Sequence, residues 1–363
     1  MVSTSMPKKT LSKLRSTTAQ ELLNRPFKPR QMLLDPWLRT EETCIIWAAS
    51  GLGKTMLSLS ISLAIAGGGK LVDWSAEKPR RVLYIDGEMH AQDIRDRLEL
   101  LSGSEMGILA RYQRKDALEN LIFIARQDQD VGAPFYDLTD DKTHREIISR
   151  VRKEDVQLVV LDNFTTLSEG LEDENAAAAF KQVQGFLLEL KRLGVATLLV
   201  HHANKSGHDM RGSTALETTF EVILGLKKPS VPKTGEARFV AEFGKFRGKG
   251  DERLQAREWS LAEDGWSITE ALPEDPRSDS VYKALKSLRF KTMAEIAKEL
   301  GVNKSTVSRR IQRLIAHGVL KKDEHFEIFD MVREIQREER NGLPDWGEPD
   351  HGTETAEALL EAF

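Results

Sequence analysis

The sequence predicts an α/β fold, a mostly parallel sheet covered by helices, followed by a small winged-helix domain. Three observations carry that prediction. Short, almost uninterrupted apolar runs alternate with helical stretches, as expected of strands buried on both faces. A Gly-containing turn joins the first of these runs to a helix that is apolar nearly all round. A basic segment with helical periodicity follows a Pro-containing stretch at 271–280. The 363 residues suit two or three domains, and 40% hydrophobic with 30% charged residues allows a sizeable core.

Residues 1–31 show no sustained periodicity, and Pro26 and Pro29 interrupt them, so they are expected to be a mostly mobile basic arm. The first strand is expected at 43–48 and the buried helix at 55–66, stopped by Gly67-Gly68-Gly69. Further strands are expected at 81–86, 121–125, 156–161 and 196–200, with helices at 140–152 and 176–193. Shorter strands follow near 220–224, 238–243, 258–261 and 266–268, the last two joined by an Asp264-Gly265 turn. The α/β domain is expected to span 32–270, with a linker at 271–280, a helical domain at 281–330 and an acidic tail at 331–363.

Composition excludes several classes. No apolar run approaches the ~18–20 residues that span a bilayer, so no membrane partner is expected. Cys44 is the sole cysteine, which excludes an intramolecular disulfide and a cysteine-rich zinc site and fits the reducing cytoplasm. The basic, Ser/Thr-rich start lacks the apolar stretch of a signal peptide. A net charge of −4 hides strong segregation: +6 over 1–31, +8 over 278–322 and −10 over 323–363.

The segment Ala48-Ala49-Ser50-Gly51-Leu52-Gly53-Lys54-Thr55 matches the phosphate-binding loop G-x-x-x-x-G-K-[ST], except that Ala48 stands at the first glycine. Backbone N–H groups from Ala49 to Met56 and the start of the following helix suit phosphate oxygens, since small residues let the backbone approach. Lys54 is placed for the β- and γ-phosphates of ATP and the Thr55 hydroxyl for Mg²⁺. A chance Gly/Ser turn is the bland alternative, and the flanking strand and buried helix argue against it. Asp162 and Glu88 close apolar strands, where ligand sites of open α/β sheets gather. One carboxylate for the metal and one to orient water is what phosphoryl transfer to water requires. Asp86 competes with Glu88, and strand alternation does not separate the two. His201 and His202 end another strand, suited either to structure or to sensing a γ-phosphate.

Together these residues resemble the RecA-like P-loop NTPases, and most closely the RepA-type hexameric replicative helicases of plasmids and phages. The resemblance covers about 30–270. It runs through Leu33 and Trp37, the 48–55 loop, Val82-Leu-Tyr-Ile-Asp-Gly-Glu-Met89, Val160-Leu-Asp162, Leu199-Val-His-His-Ala-Asn-Lys205 and Arg211-Gly-Ser-Thr-Ala-Leu216. It implies Glu88 as general base, Asp162 as the Walker B acid, and His202 as the link from γ-phosphate to a DNA-facing loop at 203–213. That loop would present Lys205 and Arg211 to single-stranded DNA in a ring channel. Lys245-Phe-Arg247 is similar to the Lys-x-Arg pair that such ATPases insert into a neighbour's site. Where some members carry their finger arginine, this chain has Glu221. A shared site of this kind implies a homo-oligomer, a hexamer by the resemblance.

Residues 281–321 read as three helices, the second opening on the capping box Thr292-Met-Ala-Glu295 and the third on Asn303. Lys304, Ser305, Thr306, Ser308, Arg309, Arg310 and Arg313 are expected on its exposed positions, with Val307, Ile311 and Leu314 inward. Residues 318–328 resemble a strand, turn and strand. The whole resembles a winged helix-turn-helix whose third helix enters duplex DNA, although such modules also dock proteins. The tail after Asn341, with six acidic residues and no Lys or Arg, reads as a solubilising end or as a competitor for the basic surfaces. Three functions therefore compete: an ATP-driven DNA motor of a mobile element, an ATP-switched DNA-binding regulator, and a small-molecule kinase. The kinase has no use for Glu88, a finger or a DNA module.

Overall fold

The computed structural model describes residues 14–168, 176–204, 210, 218–229, 237–271, 276–316 and 318–341. Its strands are β1 (Met32–Leu34), β2 (Leu38–Arg39), β3 (Thr43–Ala48), β4 (Lys70–Leu71), β5 (Trp74–Ser75), β6 (Val82–Asp86), β7 (Leu121–Ala125), β8 (Leu158–Asp162), β9 (Ala196–His202), β10 (Val222–Lys227), β11 (Arg238–Phe246), β12 (Arg257–Ala262) and β13 (Gly265–Glu270). The helices that flank them are α1 (Ala19–Asn24), α2 (Lys54–Gly67), α3 (Ala91–Leu101), α4 (Arg114–Asn120), α5 (Asp141–Lys153) and α6 (Ala176–Arg192). Nine strands form one sheet in the order β13-β12-β11-β10-β3-β9-β8-β6-β7. Its centre is parallel, and β11 with β12 is antiparallel. The fold is therefore mixed α/β with a large, mostly parallel sheet, as the alternation of apolar strands and helices predicts.

The described residues fall into two compact units. The first lies within Met1–Gly225, Phe243–Gln255 and Glu263–Trp266. The second lies within Leu226–Glu242, Ala256–Ala262 and Ser267–Phe363.

In the first unit, β3, β6 and β8 are buried at every position, which is why they read as unbroken apolar runs. Helix α2 is buried from Leu57 to Gly67, and its serines return their hydroxyls to the helix, Ser60 to the Met56 carbonyl at 2.7 Å and Ser62 to that of Ser58 at 2.7 Å. Gly68, at φ 65°, ends it in the left-handed region. Within the arm, residues 19–24 form a short helix with a full capping box between Thr18 and Glu21. None of its side chains is buried, so its local caps, not packing, define it.

In the second unit, α7 (Ser280–Lys286), α8 (Met293–Glu299) and α9 (Lys304–Ala316) enclose a separate core with Val281, Leu285, Ile296, Val307, Ile311 and Leu314. Half of the capping box forms: the Thr292 hydroxyl accepts the Glu295 N–H at 3.2 Å, but the Glu295 carboxylate accepts the N–H of Lys291 at 2.9 Å and not that of Thr292. The expected wing does not form. Residues 318–323 turn, and α10 (Glu324–Asn341) follows as an 18-residue helix. Its Ile328, Phe329 and Val332 recur at helical spacing and fill the same core, and burial of that stripe outweighs the strand reading of so short a stretch. Among the described residues no helix is long and apolar enough to cross a membrane.

Candidate nucleotide site and nucleic-acid interface

Strand register brings the candidate residues to one edge of the sheet. Ala48 at the end of β3 pairs with His202 on β9, and Asp86 at the end of β6 pairs with Asp162 on β8. The loop from β3 to α2 turns on Gly51 at φ 77° and Gly53 at φ 95°, both left-handed. Ala48 is an ordinary strand residue, so the first motif position needs no glycine here. Gly53 caps α2, whose first N–H groups face out of the helix with the positive end of its dipole. These glycines at 51 and 53 provide the close backbone approach that the pattern requires.

Lys54 is 7% exposed. Its ammonium donates to the carbonyls of Ala48 at 3.2 Å and Ala49 at 3.1 Å and lies 3.4 Å from His202 Nδ1. Burial lowers its pKa, opposed by the charges of Asp162 and Glu88. Asp162 is 4% exposed, and its Oδ2 accepts the Tyr84 hydroxyl at 2.6 Å. That hydroxyl also lies 2.8 Å from Ser58 Oγ. Burial pushes the Asp162 carboxyl up to about 6, against the hydrogen bonds from Tyr84 and Thr55 and the charge of Lys54. A buried carboxylate beside a threonine hydroxyl is a hard oxygen donor set. It suits Mg²⁺, which takes one or two protein oxygens and completes its shell with phosphate and water.

Asp86 and Glu88, which strand alternation does not separate, have different partners in the structure. Asp86 Oδ1 accepts the N–H groups of Glu88 at 2.9 Å and Met89 at 2.6 Å, so that buried carboxylate builds the turn. Glu88 is exposed and its Oε2 accepts from Asn163 Nδ2 at 2.7 Å. Sequence reasoning missed Asn163 and Tyr84. The register of β6 against β8 was the signal that could have found them.

His202 stands beside Lys54, and the segment after it begins with Ala203 donating to the Ala48 carbonyl at 2.9 Å. Ala203 also bridges Met210 in antiparallel fashion. Lys205 and Arg211 lie outside the described residues. Lys245 sits on β11, and Arg247 just beyond it is exposed, with one guanidinium nitrogen 3.9 Å from Glu221. Glu221 itself is a structural carboxylate. It accepts the Thr43 N–H at 2.9 Å, the Thr43 hydroxyl at 2.7 Å and Lys191 Nζ at 2.6 Å. Burial raises its pKa, but Lys191 and Thr43 together outweigh that and hold it below the usual range.

With that geometry in place, the family comparison decides the class of the first unit. The AAA domain family matches residues 7–208, more than half of the chain. The chain belongs to the AAA domain family. The match contains the loop at 48–55, Glu88, Asp162 and His202, so the whole phosphate edge lies inside the AAA domain. Among solved structures, the chain is similar to the KaiC-like protein PH0186 of the hyperthermophilic archaeon Pyrococcus horikoshii OT3, at 16% identity and a TM-score of 0.47 over 65% of this chain and 93% of that one. No curated protein sequence matches the chain.

Beyond the AAA domain, the MarR family model matches residues 285–325, which include α8, α9 and the turn after them. On α9, Lys304, Ser305 and Arg309 are exposed, and Thr306 and Ser308 are half-buried. Arg310 and Arg313 are not free surface cations, and this corrects the sequence expectation. Arg310 grips both Glu270 oxygens, at 2.9 and 3.2 Å, and lies 3.6 Å from Asp279. Arg313 donates to Glu258 at 2.8 Å, and that buried carboxylate also accepts from Arg238 at 2.6 Å. The two arginines share the face beside the Ile311 and Leu314 stripe, where acids far off in sequence meet them.

Proposed function

We propose that the chain is an ATP-hydrolysing DNA motor of a mobile element, a ring-forming, RepA-type replicative helicase of the cytoplasm. The reading keeps an ATPase domain at 32–270 and a DNA-binding domain at 281–330. The observation that carries it is the convergence of Lys54, Asp162, Glu88 and His202 on one sheet edge. Lys54 binds the phosphates, with the loop N–H groups from Ala49 to Met56. Thr55 and Asp162 would hold Mg²⁺, which when bound supplies charge neutralisation on the phosphates. Glu88 takes the proton of the attacking water. His202 touches Lys54 and begins the segment that carries Lys205 and Arg211, so phosphate occupancy and single-stranded DNA contact meet at one strand end. Lys245 and Arg247 serve the site of the next protomer of a hexamer.

A second reading is favoured by the MarR match: an ATP-switched regulator that binds duplex DNA without unwinding it. Both readings keep the same pocket. A strand-displacement assay beside ATPase measurements with and without single-stranded DNA separates them. The motor predicts stimulated hydrolysis and a displaced strand, both lost in Lys54→Ala and Glu88→Gln. Hydrolysis indifferent to DNA, with no displaced strand, selects the regulator.

A further inference from the structure

We infer that Asn163 is the positioning residue that holds Glu88 in its working orientation. The inference rests on the reading of Glu88 as general base and adds to it a residue that acts through Glu88 and not on ATP. Glu88 stands on a short turn after β6, exposed, with its backbone N–H held by Asp86 at 2.9 Å. A glutamate so placed has several rotamers of similar energy. Asn163, by contrast, is 3% exposed.

The direction of the Asn163 amide follows from its partners. Its Oδ1 accepts the Thr166 backbone N–H at 3.2 Å, a group that can only donate. That contact fixes which amide atom faces Thr166 and leaves Nδ2 to donate to Glu88 Oε2 at 2.7 Å. Thr166 is itself held, because its hydroxyl donates to the Asn163 carbonyl at 3.2 Å. Its own carbonyl accepts from Arg126 at 3.0 Å.

The two segments are also locked by backbone. Gly87 N–H donates to the Asp162 carbonyl at 2.8 Å, and a Cβ at Gly87 would stand 2.4 Å from the Thr166 hydroxyl oxygen. The turn that carries Glu88 and the turn that carries Asn163 are thus in contact at both Gly87 and Glu88. A general base must be held within hydrogen-bond reach of the proton it takes, and a small displacement costs rate without costing binding. An amide aimed at the outer oxygen of that base from a buried, fully oriented position does this.

Asn163→Ala tests the inference directly, because it removes the donor to Glu88 without adding a charge; Asn163→Asp keeps the acceptor for Thr166 but sets a second carboxylate against Glu88. The measurements are kcat, KM for ATP and the Kd of a fluorescent ATP analogue, on the full chain with Mg²⁺ and single-stranded DNA, beside thermal melts. Asn163→Asp and Asn163→Ala are expected to lower kcat by about tenfold to a hundredfold, the scale of lost orienting partners, with KM and Kd within about twofold. In a Glu88→Gln background neither change should lower the residual rate further, since the group it orients is gone. A purely structural asparagine would act independently of Glu88, so that its loss lowers the rate by the same factor in Glu88→Gln as in the wild type. A wild-type kcat in Asn163→Ala, or an undiminished effect of Asn163→Ala in Glu88→Gln, overturns the inference. Wild-type turnover in Glu88→Gln would fell the reading of Glu88 and this inference with it, whereas an inactive Glu88→Gln beside a normal Asn163→Ala fells the inference alone.

Discussion

The phosphate edge of the AAA domain and the third helix of the C-terminal module both present basic side chains, and they differ in what those cations already hold. Lys54 leans on the carbonyls of Ala48 and Ala49, neutral acceptors that a phosphate can outbid. Arg310 and Arg313 are clasped by Glu270 and Glu258, full charges at 2.8–3.2 Å. A count of basic residues treats the two regions alike. Their partners leave Lys54 open to an anion and the α9 arginines with only part of their nominal charge on offer.

The largest effect that would break this comparison lies within α9. Arg309→Ala should weaken duplex DNA binding and reduce the salt slope by about 1, as expected for one lost phosphate contact. Arg313→Ala should leave the salt slope unchanged and instead destabilise the protein by about 1–3 kcal/mol, because it strips the buried Glu258 of one of its two arginine partners. Salt-dependent binding isotherms and denaturant melts read both, and equal salt slopes for the two variants would erase the distinction.

The next effect concerns the buried acid. Asp162 titrates near 6 in the folded chain against 3.8 in the unfolded one. Between those values the folded state holds a proton that the unfolded state has released. Stability therefore falls as pH rises through that window, and the deficit persists above it. Burial of the charge costs on the order of 2–3 kcal/mol there. Asp162→Asn should raise the melting temperature of the nucleotide-free protein at pH 7.5, and the gain should vanish near pH 4. A smaller loss, about 1–2 kcal/mol, is expected for Tyr84→Phe, which removes the hydroxyl shared by Asp162 and Ser58. Denaturation at fixed pH measures it, and a null result would show that the hydroxyl only fills space.

How much of this was legible in the sequence depends on the range of the physics. The strands of the parallel centre and helix α2 were readable because burial on every side writes itself into consecutive residues. The loop at 48–55 was readable because glycine is needed where φ is positive, at 51 and 53, and not at Ala48. Helices α3 and α4 escaped because they are largely exposed and bury few side chains, Ile94 and Leu101 in the first and Ala117 in the second. The strand, turn and strand expected at 318–328 were misread because a helix starts at Glu324, and the core that its Ile328, Phe329 and Val332 fill lies outside that stretch. Asn163, and the acids that claim Arg310 and Arg313, depend on contacts across 75, 40 and 55 positions of chain, which no local pattern contains.

The central claim is that triphosphate hydrolysis occurs at the edge built around Lys54 and Glu88. Its most direct test is ATP turnover by Glu88→Gln beside the wild type, with nucleotide retention measured on the same samples. The account predicts that the variant keeps ATP with Mg²⁺ at near wild-type affinity and loses turnover by a factor of about 10² or more. Retained turnover, or a wild-type chain that fails to bind ATP at all, would contradict it.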